Sequence, residues 1–230
     1  MGKKNVLIFG SNGLVGSSCV RILTKSKKIN SVIASNRNDT NLFNIDETKR
    51  KIDEAKPDVV VNAAARVGGI LANDTFRTEF LLENLKINMN ILESLIPIPE
   101  VQIINLGSSC IYPLNAPNPI SEDEIFSGKL EPTNSPYAVA KLSAIELADS
   151  MEKQFNHNIF NLMPTNLYGP GDNFSEINSH VIPGLIKRMH LAKESGEVEF
   201  KIWGTGKPLR EFLFVDDLSS AIEFLIDKKL

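Results

Sequence analysis

Asn5-Val6-Leu7-Ile8-Phe9-Gly10-Ser11-Asn12-Gly13-Leu14-Val15-Gly16 joins an apolar run to three evenly spaced glycines. Asn5 to Phe9 suits a parallel strand buried on both faces. Apolar residues then recur at helical spacing through Val20 and Leu23, so the glycines occupy a strand-to-helix turn. There they permit a tight turn, let main chain approach a pyrophosphate and let the helix pack closely on the strand. The helix start adds free N–H groups and a positive dipole end. The spacing is G-x-x-G-x-x-G rather than G-x-G-x-x-G, and a glycine triplet alone is equally the mark of a plain turn. Its place between strand and helix makes Gly10, Ser11, Asn12, Gly13, Leu14, Val15 and Gly16 the candidate dinucleotide cradle.

Outward from this stretch, strand-like runs recur at Ser31–Ala34, Val59–Asn62, Val101–Leu106 and Ile159–Met163. Helical patterns separate them at Leu14–Lys25, Asp46–Ala55, Thr75–Ile96 and Tyr137–Phe155. This alternation predicts an α/β fold: a doubly wound parallel sheet of Rossmann type, with ligands at the strands' C-terminal edge. A first domain over residues 1–171 would bind a dinucleotide. From Asp172 the register changes, and residues 172–230 read as a second, smaller and truncated α+β domain for substrate. Its elements are a helix around Val181–Glu194, short strands at Glu199–Trp203 and Glu211–Val215, and a helix from Asp216. Too short to bury a core of its own, it must lean on the first domain or on residues elsewhere.

The chemistry is read from Tyr137-Ala-Val-Ala-Lys141 and the earlier Gly107-Ser108-Ser109-Cys110. A Tyr and a Lys four apart share one helix face. An ammonium beside a phenol favours the phenolate and brings its pKa down from about 10. A serine hydroxyl can hold a carbonyl oxygen while the tyrosine exchanges its proton. That equipment suits a carbonyl/alcohol oxidoreductase with a hydride carrier. On an exposed helix a Tyr-x-x-x-Lys pair also occurs freely, so the serine and the strand-end placement carry the weight.

Composition narrows the partners. Of 230 residues 42% are apolar and the net charge is −3, with no basic excess to suggest nucleic acid. No apolar run is long enough for a membrane span and no signal-peptide core opens the chain. Cys19 and Cys110 are too few for a disulfide framework, which points to a reducing cytoplasm. Cys19 falls on the apolar face of the first helix and reads as core. The Pro- and Asn-rich stretch from Pro113 to Pro136 reads as a long surface excursion.

Taken together, Ala64-Ala65-Arg66-Val67-Gly68-Gly69-Ile70, Gly107-Ser108-Ser109-Cys110-Ile111-Tyr112-Pro113, Leu130-Glu131-Pro132-Thr133-Asn134, Pro164-Thr165-Asn166-Leu167-Tyr168-Gly169-Pro170, Asn178-Ser179-His180-Val181-Ile182-Pro183 and Arg210-Glu211-Phe212 resemble the extended short-chain dehydrogenase/reductase family. Within it they are similar to the enzymes that epimerise and reduce GDP-4-keto-6-deoxy-D-mannose to GDP-L-fucose. The resemblance runs the length of the chain. It implies Ser108, Tyr137 and Lys141 for keto reduction, and Cys110 with His180 for proton exchange at C3 and C5. Without it, a lone Cys after a strand reads as packing and a lone His as an ordinary one.

The same resemblance implies a cofactor held by the glycine turn and by Arg37, Ala64, Leu106, Gly107, Ser108, Ser109, Lys141, Pro164, Thr165, Asn166, Leu167 and His180. It implies GDP-sugar contacts from Arg188, Trp203 and Arg210, for which the plain alternatives are a solvated helix arginine and a core Trp. Arg37 after the second strand, where an NAD site places an acid, favours NADP(H); Asn12 stands where the family commonly offers a second arginine. A homodimer through Thr75–Ile96 and Tyr137–Phe155 is expected from the family. Its members run longer, so the sugar pocket is expected to be partly open or completed by a neighbour. Two alternatives stand: another nucleotide-sugar epimerase or dehydratase, or an inactive cofactor-binding fragment. Ser108-Ser109-Cys110 lacks the carboxylates a dehydratase needs.

Overall fold

A computed structural model describes residues 2–175, 179–202, 204–207, 209–226 and 228–229. Its centre is a five-stranded parallel sheet made of β1 (Lys4–Phe9), β2 (Ile29–Ser35), β3 (Val59–Asn62), β4 (Gln102–Leu106) and β5 (Ile159–Leu162). The strand order is β2-β1-β3-β4-β5. The chain leaves β1 in one direction and resumes at β3 in the other, which opens a crevice between the C-terminal ends of β1 and β3. Val6 to Phe9 and Val59 to Asn62 are all buried, because helices cover both faces of the sheet.

One face carries α2 (Ile45–Ala55), α4 (Arg77–Leu95) and α5 (Ser135–Phe155), meeting Leu7, Phe9, Val60 and Ile103 of the strands. Ala144 and Ala148 of α5 are fully buried, and these small side chains let the helix lie close. The other face carries α1 (Leu14–Leu23) and α7 (Val215–Leu225). Cys19, Leu23, Leu218 and Ile222 pack there on Val6, Ile8, Val61 and Ile104. Cys19 is fully buried in this layer, its thiol pushed up to about 11 by burial.

The sequence-derived strands and helices of the sheet all form, with two refinements. The helix expected from Thr75 begins at Arg77, after a separate short α3 (Ile70–Thr75) that ends at Phe76. Asn166–Tyr168, to which the sequence patterns assign no element, is β6 and pairs in parallel with β7 (Phe212–Phe214).

Beyond residue 171, α6 (Val181–Glu194) forms as expected, whereas Glu199 to Ile202 form no strand. Trp203 lies outside the described residues. The segment leans on the first domain through α7, which is bolted to α1: Asp216 pairs with Arg21, and Ser18 Oγ donates to Asp216 Oδ1 at 2.6 Å. Ser219 Oγ donates to Ser18 Oγ at 2.7 Å. Among the described residues no helix is long and apolar enough to cross a membrane.

Candidate active site

The glycine turn is held open by backbone geometry. Gly10 takes φ +77°, and a Cβ there would meet the Ala63 carbonyl and the Ala64 backbone at 2.7 Å. A Cβ on Gly16 would run into the Gly10 carbonyl. The two glycines therefore let β1, β3 and the start of α1 crowd together. The Ser11 N–H donates to the Ser35 carbonyl at 3.1 Å, while its buried Oγ has no partner.

Gly13 caps α1 without any side-chain hydrogen bond. By contrast α2 is closed by Asn44, whose side chain accepts from Asp46 N and Glu47 N at 2.9 and 3.2 Å. The open start of α1 suits an anion. Beside it lies a cavity of about 210 Å³ whose walls include Gly10, Asn12, Gly13, Arg37, Thr40 and Ala64. Ala63 to Ala65 leave room there, and exposed Arg37 offers a guanidinium at the rim. The crevice thus fits a dinucleotide: glycine cradle, open helix start, apolar wall and a cation for a phosphate.

A second cluster stands at the ends of β4 and α5. Ser108 begins a short 3₁₀ turn over Ser109–Ile111, and its Oγ accepts from Cys110 N at 3.3 Å. That bond fills one lone pair and leaves the hydroxyl proton free to donate. The Ser108 side chain lies near enough to the Tyr137 hydroxyl to favour its phenolate. Burial pushes the Tyr137 phenol above its ordinary range, the nearby Cys110 charge adds to this, and the Ser108 side chain opposes it.

Lys141 is buried at 3% exposure and donates from Nζ to the Leu106 carbonyl at 2.6 Å. Burial lowers its amine to about 8. Burial thus outweighs the expected help from the lysine: the Tyr137 phenol is shifted up rather than down, while Lys141 keeps most of its charge at neutral pH. Neighbouring main chain ties the cluster together, with Gly107 N donating to Leu162 O at 2.7 Å and Ser109 N to Pro164 O at 3.2 Å.

Residues 6–230 match the model of the NAD dependent epimerase/dehydratase family. The chain belongs to that family. Among curated members, probable GDP-L-fucose synthase 1 of Oryza sativa subsp. japonica is 45% identical over 96% of this chain and 68% of its own length. GDP-L-fucose synthase of Escherichia coli (strain K12) is 42% identical over 96% of this chain and 68% of its own. The crystal structure of a GDP-L-fucose synthetase from Naegleria fowleri bound to NADP superposes with a TM-score of 0.86 at 31% identity, covering 96% of this chain and 72% of that one.

The other sequence-derived positions in this family member are more scattered. Asn166 and Leu167 lie in β6; Asn166 Nδ2 donates to Glu211 O at 2.9 Å and Leu167 packs into the α1/α7 layer. Pro164 and Thr165 connect β5 to β6. His180 caps α6 with its side chain exposed, and its carbonyl accepts from Gly184 N at 3.0 Å. Among the described residues no hydrogen bond joins His180 to Cys110. Arg188 on α6 donates to the Lys201 carbonyl at 2.6 Å and lies 5.0 Å from the Phe200 ring centre. Arg210 is exposed ahead of β7 and bonds the Leu209 carbonyl.

Three features around the site escape a reading of motifs. Asn62, Asn105 and Asn161 stand at the same register on β3, β4 and β5. Their amides form a ladder: Asn62 Nδ2 to Asn105 Oδ1 at 3.0 Å and Asn105 Nδ2 to Asn161 Oδ1 at 2.9 Å. The shared pattern of an asparagine closing three apolar strands was the available signal. Asn84 of α4 clamps the loop after β3, accepting from Arg66 N at 2.9 Å and donating to Arg66 O at 3.0 Å. Arg66 in turn pairs with Glu83 and lies 5.5 and 5.2 Å from the ring centres of Phe76 and Phe80. Phe80 meets Tyr137 edge-on at 6.4 Å.

Proposed function

We propose that this chain converts GDP-4-keto-6-deoxy-D-mannose to GDP-L-fucose by C3/C5 epimerisation followed by reduction of the C4 ketone. The observation that carries the reading is the clustering of Ser108, Cys110 and Tyr137 at the strand edge that also holds the dinucleotide crevice. The identity to curated GDP-L-fucose synthases supports the choice of substrate.

The dinucleotide would be held by Gly10 to Gly16, Ala64 and Arg37; when bound, NADPH supplies the hydride that C4 receives. The chain's own residues do the rest. Ser108 and Tyr137 donate hydrogen bonds to the C4 keto oxygen, which acidifies the protons on C3 and C5 and stabilises the enolate left when one is removed. Cys110 and His180 form the acid/base pair that takes a proton from one face and returns it to the other. In the reduction Tyr137 gives its hydroxyl proton to the C4 oxygen, which completes the alcohol and leaves Tyr137 as a phenolate that takes a proton back from solvent before the next turnover. A neutral phenol is the form that this step consumes. Lys141 holds the floor of the site through the Leu106 carbonyl.

Substrate recognition is assigned to residues 172–230, with Arg188 and Arg210 as phosphate partners and Trp203 as a stacking surface. Residues 1–171 carry the cofactor, and two copies pair through the outer faces of α4 and α5, which expose Leu82 and Val139. The test is NADPH consumption with GDP-4-keto-6-deoxy-D-mannose and identification of the sugar product by NMR. GDP-L-fucose formed with one NADPH consumed per sugar is the expected result. Bound NADPH without product would reduce the chain to a cofactor-binding protein.

A further inference from the structure

Glu131 lies just ahead of α5 and has no place in the chemistry above. Its carboxylate accepts four hydrogen bonds from two nearby residues, Thr133 and Asn134. They come from Thr133 N at 3.2 Å, Thr133 Oγ1 at 2.6 Å, Asn134 N at 2.9 Å and Asn134 Nδ2 at 3.0 Å. The Thr133 hydroxyl, with the other donors, holds the carboxyl below the usual carboxylate range.

Asn134 is the pivot. Its carbonyl accepts the first bond of α5, from Ala138 N at 2.9 Å, and Tyr137 is only the third residue of that helix. Asn134 makes no side-chain cap to the helix; its amide is turned back onto Glu131. Pro136 lies in the first turn, where the N–H groups have no partner within the helix, so what orders that turn from outside is the set of bonds Glu131 makes. Upstream, the excursion from Pro113 is closed on itself by Leu114 N to Lys129 O at 2.9 Å. Glu131 thus fixes Thr133 and Asn134, where that excursion ends and the turn that carries the tyrosine begins.

We propose that Glu131 is a positioning residue, whose carboxylate seats Asn134 and the first turn of α5 so that the Tyr137 hydroxyl meets Ser108. The proposal rests on Tyr137 as the proton donor of the proposed reduction.

Glu131→Gln keeps the size but turns an amide N–H₂ toward donors. Its kcat for keto reduction falls by about tenfold to a hundredfold, NADPH binding is unchanged, and the solvent deuterium isotope effect on kcat rises because proton donation has become slow. A second readout needs no substrate. With ¹³Cζ-labelled tyrosine and Tyr137→Phe for assignment, the Tyr137 titration moves down toward that of a solvated phenol as water reaches the hydroxyl. Should Glu131→Gln not fold, Asn134→Ala removes a single bond of the set and shifts both readouts the same way by less. An unchanged isotope effect together with an unchanged Tyr137 titration overturns the proposal, whatever happens to kcat. If the native chain itself does not turn over, the proposed reaction fails, and the titration alone decides the role of Glu131.

Discussion

Lys141 Nζ lies 5.9 Å from the centre of the Tyr137 ring and gives its hydrogen bond to the Leu106 carbonyl. The amine sits under the face of the ring, one helical turn from it, in a buried place where a charge is costly. Both groups respond to that burial by favouring their neutral forms. A neutral phenol beside Ser108 is a proton donor, which is what reduction of a ketone requires.

Lys141→Met tests the burial directly. Burial lowers the native amine to about 8 from its ordinary 10.5, so the unfolded chain binds more protons between those values. Native stability therefore rises with pH across that window, and below it the full penalty for charging the buried amine applies. The methionine variant lacks the penalty and is expected to be more stable by on the order of 1–3 kcal/mol near neutral pH, while turnover is lost. Its advantage shrinks as pH is raised toward 10. Urea unfolding of both proteins at several pH values measures this, and a stability difference independent of pH would rule it out.

Tyr137→Phe and Cys110→Ser separate the two halves of the reaction. Tyr137→Phe is expected to slow reduction by about a hundredfold or more, leaving NADPH binding intact. Cys110→Ser is expected to impair exchange of the C3 and C5 protons with D₂O more than hydride transfer. NMR in D₂O follows exchange and NADPH absorbance follows reduction. Equal losses of both in Cys110→Ser would remove the cysteine from its assigned role.

Gly16→Ala addresses the cradle. The new methyl would press on the Gly10 carbonyl, which is backbone and held by the sheet. We expect a loss of about 1–3 kcal/mol in stability, as for other overpacked sites, and weakened NADPH binding. Thermal unfolding and cofactor titration check both, and a variant that binds normally would show that the turn can spread.

Arg37→Ala concerns cofactor choice. With the rim cation gone, NADPH affinity is expected to fall by about tenfold or more, since a charge-assisted phosphate contact is lost. NADH affinity should hardly change. Comparable losses for both cofactors would mean that Arg37 shapes the cavity without reading the 2′-phosphate.

Much of the fold could be read directly from residue order. Val6 to Phe9, Val59 to Asn62 and Ile103 to Leu106 are short apolar runs bounded by turns, and such runs have few options other than buried parallel strands. Asn166–Tyr168 escaped because its partner, Phe212–Phe214, is far along the chain and neither segment carries a strong pattern of its own. The division of α3 from α4 at Phe76 is a local bend that leaves helical periodicity almost undisturbed. Glu131 and Asn84 were hidden for a different reason: a carboxylate or amide bonded to nearby main chain has no spacing that marks it.

What the sequence determined by itself was the kind of fold and the kind of chemistry. Strand–helix alternation, the glycine turn and the Ser, Tyr and Lys at their spacings are local patterns, and local patterns survive in one dimension. Only tertiary structure decided how those groups behave. Burial of Lys141 under Tyr137, the asparagine ladder across three strands and the fastening of α7 onto α1 depend on which distant residues share a face of the sheet. The pKa directions follow from that same packing, because the cost of a charge is set by what surrounds it in space and not by its neighbours in the chain.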